Sequence, residues 1–325
     1  MNLPRRTFLH LAAGAATLPA ISSFARAQSY PTRLVRIIVP FAAGGALDVI
    51  VRVIANRLSE TWHVPVVVEN RLGAGGNIGS EAVARSNPDG YTILCNGPAI
   101  GLNQYLFNRL PYDPIRDFAP VSLLSSFPNV MTVPKESPAN SVAEFIDIAR
   151  LKAGKISYAI PGVGTTQHLA GELFKRMTGV EMTAVPYRDA SFMNDLFVGR
   201  VDLMFGVAGL MLEQHRTGRL RALGVTSSKR FPLASELPTI AESGVPGFDV
   251  SSWFAFWLPA KISPDILRKL NADFVAVLAD PSIQAKVEQL FYLPISSTPE
   301  EVSALLKSDM EKWSVVIKEA GIKLE

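Results

Sequence analysis

The sequence predicts an α/β protein of two lobes built on mostly parallel sheets, and three observations carry that prediction. Short apolar runs of strand length alternate with periodic stretches long enough to be crossover helices. Glycine-rich turns follow three of those runs, at Gly44-Gly45, Gly73-Ala74-Gly75-Gly76 and Gly162-Val163-Gly164. The 325-residue chain is 48% apolar, enough for two cores at ~100–200 residues per domain.

In chain order, strands are expected around 34–39, 65–69, 91–95, 121–126, 130–133, 156–160, 183–187, 201–206, 221–226 and 254–258. Leu34 to Val39 is an apolar run that reads as a buried strand. The turn Pro40 to Asp48 follows it, and Val49 to Leu58 has helical periodicity. Ser141-Val142-Ala143-Glu144 is a capping box that opens a helix over 142–152. One of Thr165 and Thr166 should cap a helix over Gln167 to Met177, leaving the other hydroxyl free at its N-terminus. Phe231 to Gly247, rich in Pro, Gly and Ser, reads as a long connection. Ser263-Pro264 and Thr298-Pro299, the latter with Glu301, place proline in the first helical turn, so 264–320 should be mainly helical. Two stretches read as crossings between lobes: Pro120 to Pro134, as two short strands around Phe127-Pro128-Asn129, and Gly247 to Pro259. They divide the chain into a discontinuous first lobe, 28–127 with 249–325, and a second lobe, 128–248. A ligand cleft lies between them.

The N-terminus reads as an address. Arg5-Arg6 heads a weakly apolar stretch, and Ala25-Arg26-Ala27 supplies a small-x-small cleavage signature, so residues 1–27 read as a twin-arginine signal peptide cleaved near Ala27. The expected location is the periplasm. Arg5, Arg6 and Arg26 account for the whole formal charge of +3, and the segment has no acid, so the mature chain is neutral. That argues against nucleic acid or an anionic membrane as partner. The single cysteine, Cys95, ends an apolar run and reads as a small buried hydrophobe. The chain is expected to work as a monomer.

A glycine turn between a strand and a helix aims free backbone N–H groups, and the positive end of the helix dipole, at whatever sits above the strand. A small anion held largely by backbone is the expected ligand. Asp48 could cap its helix, contact ligand, or do both. The Gly44-Gly45 pair suits a tight turn of positive φ and close backbone approach. His168 could pack or bind, and Arg188, just past a strand end, could fork onto a carboxylate. The candidate ligand-binding set is Phe41, Ala42, Gly44, Gly45, Asp48, Gly97, Gly162, Gly164, Thr165, Thr166, His168, Arg188, Gly206 and Trp253. No catalytic residue, metal site or cofactor is assigned. Gly73 to Gly79 has Ile78 where a dinucleotide fingerprint needs glycine, and there is no P-loop lysine, Gly-x-Ser-x-Gly elbow or His-Glu-x-x-His.

These segments together resemble the extracytoplasmic solute receptors of tripartite tricarboxylate transporters, the Bug group. The likeness runs through Arg36-Ile37-Ile38-Val39-Pro40-Phe41 with Gly44, Gly45 and Asp48, then Val67-Val68-Glu69-Asn70-Arg71 and Gly73 to Gly79. It continues through Pro88-Asp89-Gly90-Tyr91-Thr92, Asp117-Phe118-Ala119-Pro120-Val121, Gln167-His168-Leu169-Ala170-Gly171-Glu172, Val185-Pro186-Tyr187 and Ser252-Trp253. The resemblance implies a type II periplasmic-binding-protein-like fold, two α/β lobes on a two-segment hinge that close on one small molecule. It implies that the loops 41–48 and 162–166 clasp a ligand carboxylate, and that the partners are a small organic acid and integral-membrane transporter subunits. The chain departs from the family at Leu47, Ile160, Val163 and Gly206, where the family tends to be polar, and in Asp189 to Phe192, which looks one residue short. A more apolar pocket floor follows, suited to an aromatic or branched monocarboxylate. Two alternatives remain: a ligand-sensing protein that engages a membrane sensor kinase, and a nucleotide-dependent enzyme, disfavoured by the broken fingerprint and the export signal.

Overall fold

The computed structural model describes residues 30–187 and 189–324. The signal segment and Arg188, both invoked above, lie outside the described residues. Two sheets share one strand. In the first, β1 (Val35–Val39) lies parallel between β2 (Val66–Asn70) and β3 (Thr92–Asn96). Next come β9 (Ser251–Pro259) and the N-terminal half of β4 (Phe118–Pro134), both antiparallel to their neighbours, with the two-residue β10 (Leu293–Pro294) also pairing with β4. In the second sheet, the C-terminal half of β4 pairs antiparallel with β7 (Leu203–Val207) and β8 (Leu220–Val225). Beyond β7 lie β5 (Ile156–Ile160) and β6 (Met182–Pro186), all three parallel.

The fold is the expected mixed α/β in two lobes, with one difference at its centre. In place of two short strands around Pro128, β4 is a single 17-residue strand. Its register with β9 ends at Pro128, paired with Ser251, and pairing with β7 begins at Asn129, opposite Val207. Proline has no N–H to offer a ladder, so it suits the point where a strand changes partners. The outgoing and returning segments are tied together there. Asn129 N donates to Thr226 Oγ1 (2.8 Å), Thr226 N donates to the Asn129 carbonyl (2.9 Å), and Val250 N donates to the Thr226 carbonyl (2.7 Å).

The helices cover both faces. α1 (Ala46–Trp62) and α8 (Pro264–Leu278) pack with β1, where Val35, Ile37 and Val39 are fully buried. Truncating Ile37 to Ala would cost about 2–5 kcal/mol by the usual core penalty. α2 (Asn77–Ala84) and α3 (Ala99–Leu106) follow in the first lobe. α4 (Val142–Leu151), α5 (Thr166–Thr178), α6 (Phe192–Phe197) and α7 (Ala208–Arg216) serve the second. Of the two expected capping boxes, the one at Thr298 and Glu301 forms reciprocally, whereas Ser141 accepts from Glu144 N but the Glu144 carboxylate accepts instead from Asn140 N. α9 (Pro281–Glu288) precedes the last helix, α10 (Pro299–Glu319). α10 spans two cores. Its Val302 and Leu306 pack with Trp253 and Trp257, whereas its Trp313, Val316 and Ile317 pack with Phe145 and Phe174. Asp309, midway, accepts a hydrogen bond from Trp253 Nε1 (2.7 Å).

Candidate ligand-binding site

The loop after β1 and the loop after β5 both lie at the carboxyl ends of parallel strands, where open α/β sheets bind ligands. They meet across a cleft of about 630 Å³ between the two sheets. Phe41, Ala42, Gly45 and Asp48 line it from the first lobe, and Gly164, Thr165 and Thr166 from the second; Gly97 and Trp253 line its floor.

The first wall is an uncapped helix end. α1 begins at Ala46 with Gly45 as N-cap, so no side chain covers its first turn. The N–H groups of Ala46, Leu47 and Asp48 are the orphan donors of that turn. Asp48 is therefore not the cap. It sits at the third helical position, buried, and its carboxylate is taken up by the protein. Oδ2 accepts from Gly44 N (2.9 Å) and Arg52 Nε (2.9 Å), and Oδ1 accepts from Asn70 Nδ2 (2.9 Å). Burial pushes the Asp48 pKa up, but the bonds from Arg52, Gly44 and Asn70 outweigh it and hold the carboxyl below its ordinary value. Asn70 Nδ2 also donates to the Phe41 carbonyl (3.0 Å). The loop is thus braced from behind, and the uncapped first turn of α1 lies at the cleft. The positive φ expected of the glycine pair belongs to Gly44 (+79°) and not to Gly45, whose φ of −68° is ordinary.

The second wall is the N-terminus of α5. Thr165 is its cap: Oγ1 accepts from His168 N (3.4 Å) and donates to the Gly162 carbonyl (2.8 Å). Thr166 carries the other hydroxyl at the first helical position. His168 is buried behind the loop, where Nδ1 accepts the Gly164 N–H (3.1 Å). That contact requires a neutral ring with its proton on Nε2, the nitrogen that faces Glu172 Oε1 at 3.8 Å. Burial lowers the His168 pKa, against the pull of Glu172. Glu172 is itself held by Tyr158 Oη (2.6 Å) and Lys175 Nζ (2.9 Å).

Four candidates do not line the cleft. Gly44 and Gly162 sit one step back, as partners of Asp48 and Thr165. His168 supports Gly164 from beneath. Gly206 is buried in the second lobe, where an added Cβ would lie 2.5 Å from Met211 Cγ. Of the departures from the family pattern, Leu47 and Val163 line the cleft.

The sequence matches the family model described as the tripartite tricarboxylate transporter family receptor over residues 50–322. The chain belongs to this family. A solved structure of R. palustris Rpa4515 with adipate is 39% identical, with a TM-score of 0.81, covering 91% of this chain and 100% of that one. The periplasmic binding protein BugD is 36% identical, with a TM-score of 0.77 and coverage of 91% and 100%. MatC (Rpa3494) from Rhodopseudomonas palustris with bound malate is 29% identical, with a TM-score of 0.76 and coverage of 89% and 100%. The chain is a periplasmic solute-binding receptor of this type. Among the described residues no helix is long and apolar enough to cross a membrane.

The receptor's cleft includes residues that the sequence did not single out. Gln167 lines it beside Thr166. Leu102 and Leu106 of α3 reach toward the second lobe, and an added Cβ on Gly164, whose φ is +78°, would lie 2.4 Å from Leu106 Cδ1. Phe127, Phe254 and Tyr292 form one side, from three segments far apart in sequence. Asn129 is fully buried beside Thr166, with Nδ2 3.5 Å from Thr166 Oγ1 and Oδ1 unpartnered. Only the spatial meeting of β4, β7 and α5 makes it visible.

Proposed function

We propose that this receptor captures a small organic carboxylate by closing its two lobes on it and hands it, chemically unchanged, to the integral-membrane subunits of a tripartite tricarboxylate-type transporter. One observation carries the proposal: the N-termini of two helices, α1 and α5, line one cleft from opposite sides. Their first-turn donors and dipoles favour an anion without any cationic side chain. Adipate and malate, the ligands of two of the related structures, are carboxylates. The set Phe41, Ala42, Gly45, Gly164, Thr165 and Thr166 makes the clasp, and Asp48 and His168 hold its two loops in place. A micromolar ligand needs ~8 kcal/mol. Several hydrogen bonds to a charged group at ~1.5–3 kcal/mol each, with apolar burial, supply that net of ordering costs.

The lobes are 28–127 with 249–325, and 128–248, moving about the Asn129, Thr226 and Val250 crossings, with α10 reaching across both. The mature receptor begins after Ala27, is exported by the twin-arginine route and acts as a monomer. Calorimetric titration with a bound acid and its primary amide tests the proposal. The acid should bind at least tenfold more tightly, and should be recovered unaltered. Equal affinity of acid and amide would remove the anion clasp.

A further inference from the structure

We infer that the ligand of this receptor is an aryl monocarboxylate, its one carboxylate between α1 and α5 and its ring against Phe41 and Phe254. The inference rests on the receptor function proposed above and narrows its ligand. Two observations carry it, the lack of a cationic side chain among the described lining residues and the aromatic wall.

Two more helix N-termini, those of α2 and α3, face the cleft, but several of their donors are spent. Gly76 N donates to the Gly73 carbonyl (3.0 Å), and the N–H of Asn77 goes to the Ala74 carbonyl. Ile100 N donates to the Gly97 carbonyl (3.1 Å) and Gly101 N to that of Pro98 (3.0 Å). Two of the three lining side-chain amides are committed as well. Asn96 Nδ2 donates to Ser80 Oγ (3.1 Å), and Asn103 Nδ2 donates to Asn77 Oδ1 (2.6 Å) and the Gly75 carbonyl (3.0 Å). Among the described lining residues the one charged side chain is Asp48, which is an anion already paired with Arg52. A second carboxylate would be desolvated here with no cation to meet it, only the neutral donors of Gln167, Ser252 and Tyr292.

The wall beside the clasp suits a ring. Phe254 stands 6.4 Å from Phe41 and 5.1 Å from Phe127, centroid to centroid, and lies nearly parallel to Tyr292 at 6.1 Å. Burial pushes the Tyr292 pKa up to about 12, so its hydroxyl stays neutral. Phe41 is 38% exposed and Leu72 53%, both at the cleft. Offset or edge-on contact with an aryl ligand would cover them.

The test is calorimetric titration of the mature receptor with phenylacetate, adipate and malate, each also run on Phe41→Ala and Phe254→Leu. Phe41 is exposed, so its variant should keep the native melting temperature. Phenylacetate should bind at least tenfold more tightly than either diacid. At least one variant should lose about tenfold for phenylacetate and less than twofold for the diacids. Tighter binding of adipate or malate overturns the aryl inference and leaves the receptor proposal standing. So does unchanged phenylacetate affinity in both variants. Failure of all three acids to bind overturns both.

Discussion

Replacing Gly45 by Ala separates what the first loop does for the ligand from what it does for the fold. Gly45 is the N-cap of α1, with φ −68° and ψ 161°, a conformation open to any residue. An added methyl has one heavy atom within 4 Å, the Ala42 carbonyl oxygen at 3.2 Å, and otherwise projects into open space. A compatible Gly→Ala change stabilises by ~0.4–1 kcal/mol through the unfolded chain. The tight contact offsets part of that, so the melting temperature should move by less than about 4 °C. The ligand is affected more, because the methyl stands at the mouth of the donors that meet the carboxylate. Losing one such hydrogen bond costs ~1.5–3 kcal/mol, about a tenfold to hundredfold loss of affinity. Titration with phenylacetate, beside differential scanning calorimetry, reads both quantities. Unchanged affinity with a melting temperature lowered by many degrees would refute the assignment and make Gly45 a folding residue.

Gly164→Ala should behave differently. Its φ of +78° and the 2.4 Å approach to Leu106 Cδ1 strain the loop and oppose the meeting of the two walls. The expected cost is ~1–3 kcal/mol of stability together with a loss of affinity, both partly restored by Leu106→Ala in the double variant. Asp48→Ala should lower stability by ~1–3 kcal/mol, since it strips Gly44 N and Asn70 of a buried acceptor while half-exposed Arg52 regains water. Chemical denaturation measures it, and a change below 0.5 kcal/mol would contradict the brace. His168 adds a pH dependence. Its folded pKa is below the ordinary 6.5, so the native state binds fewer protons than the unfolded one between the two values. Stability from this group is complete above pH 6.5 and falls as pH drops through 6.5 toward the folded pKa. Protonation also costs the Gly164 N–H its acceptor, so affinity should fall in the same direction. His168→Gln should flatten both profiles between pH 5 and 7.5; unchanged profiles would mean that other groups titrate there.

The sheets and the clasp loops were legible because local pattern decides them. Leu34 to Val39 and Ile156 to Ile160 are apolar runs ended by glycine turns, and both became strands leading into helix N-termini. The caps at Ser141 and Thr298 were legible for the same reason, since each needs only three or four neighbouring residues, and the cap of α5 was narrowed to Thr165 or Thr166. What was not legible depends on distant partners. Nothing local tells whether Pro128 breaks a strand or marks where it changes partners; the positions of β7 and β9 decide that. Gly44 and Gly45 are chemically alike, and only the bond from Gly44 N to Asp48 selects which one takes positive φ. Likewise, His168 belongs to the loop's support because Gly164, four residues earlier, folds back on its Nδ1. Phe127, Phe254 and Tyr292 carry no motif, and they become a wall only when β4, β9 and the segment before β10 converge.

The central claim is that one carboxylate is held from both lobes by the open ends of α1 and α5. Nitrogen-15 NMR of the receptor titrated with phenylacetate tests it directly, through the backbone amides of Ala46, Leu47, Asp48, Thr166 and Gln167. The account predicts that all five shift downfield together, with one common saturation curve, and that phenylacetamide moves none of them to the same extent. Shifts confined to one helix end, or an acid that saturates the receptor while these amides stay in place, would contradict it.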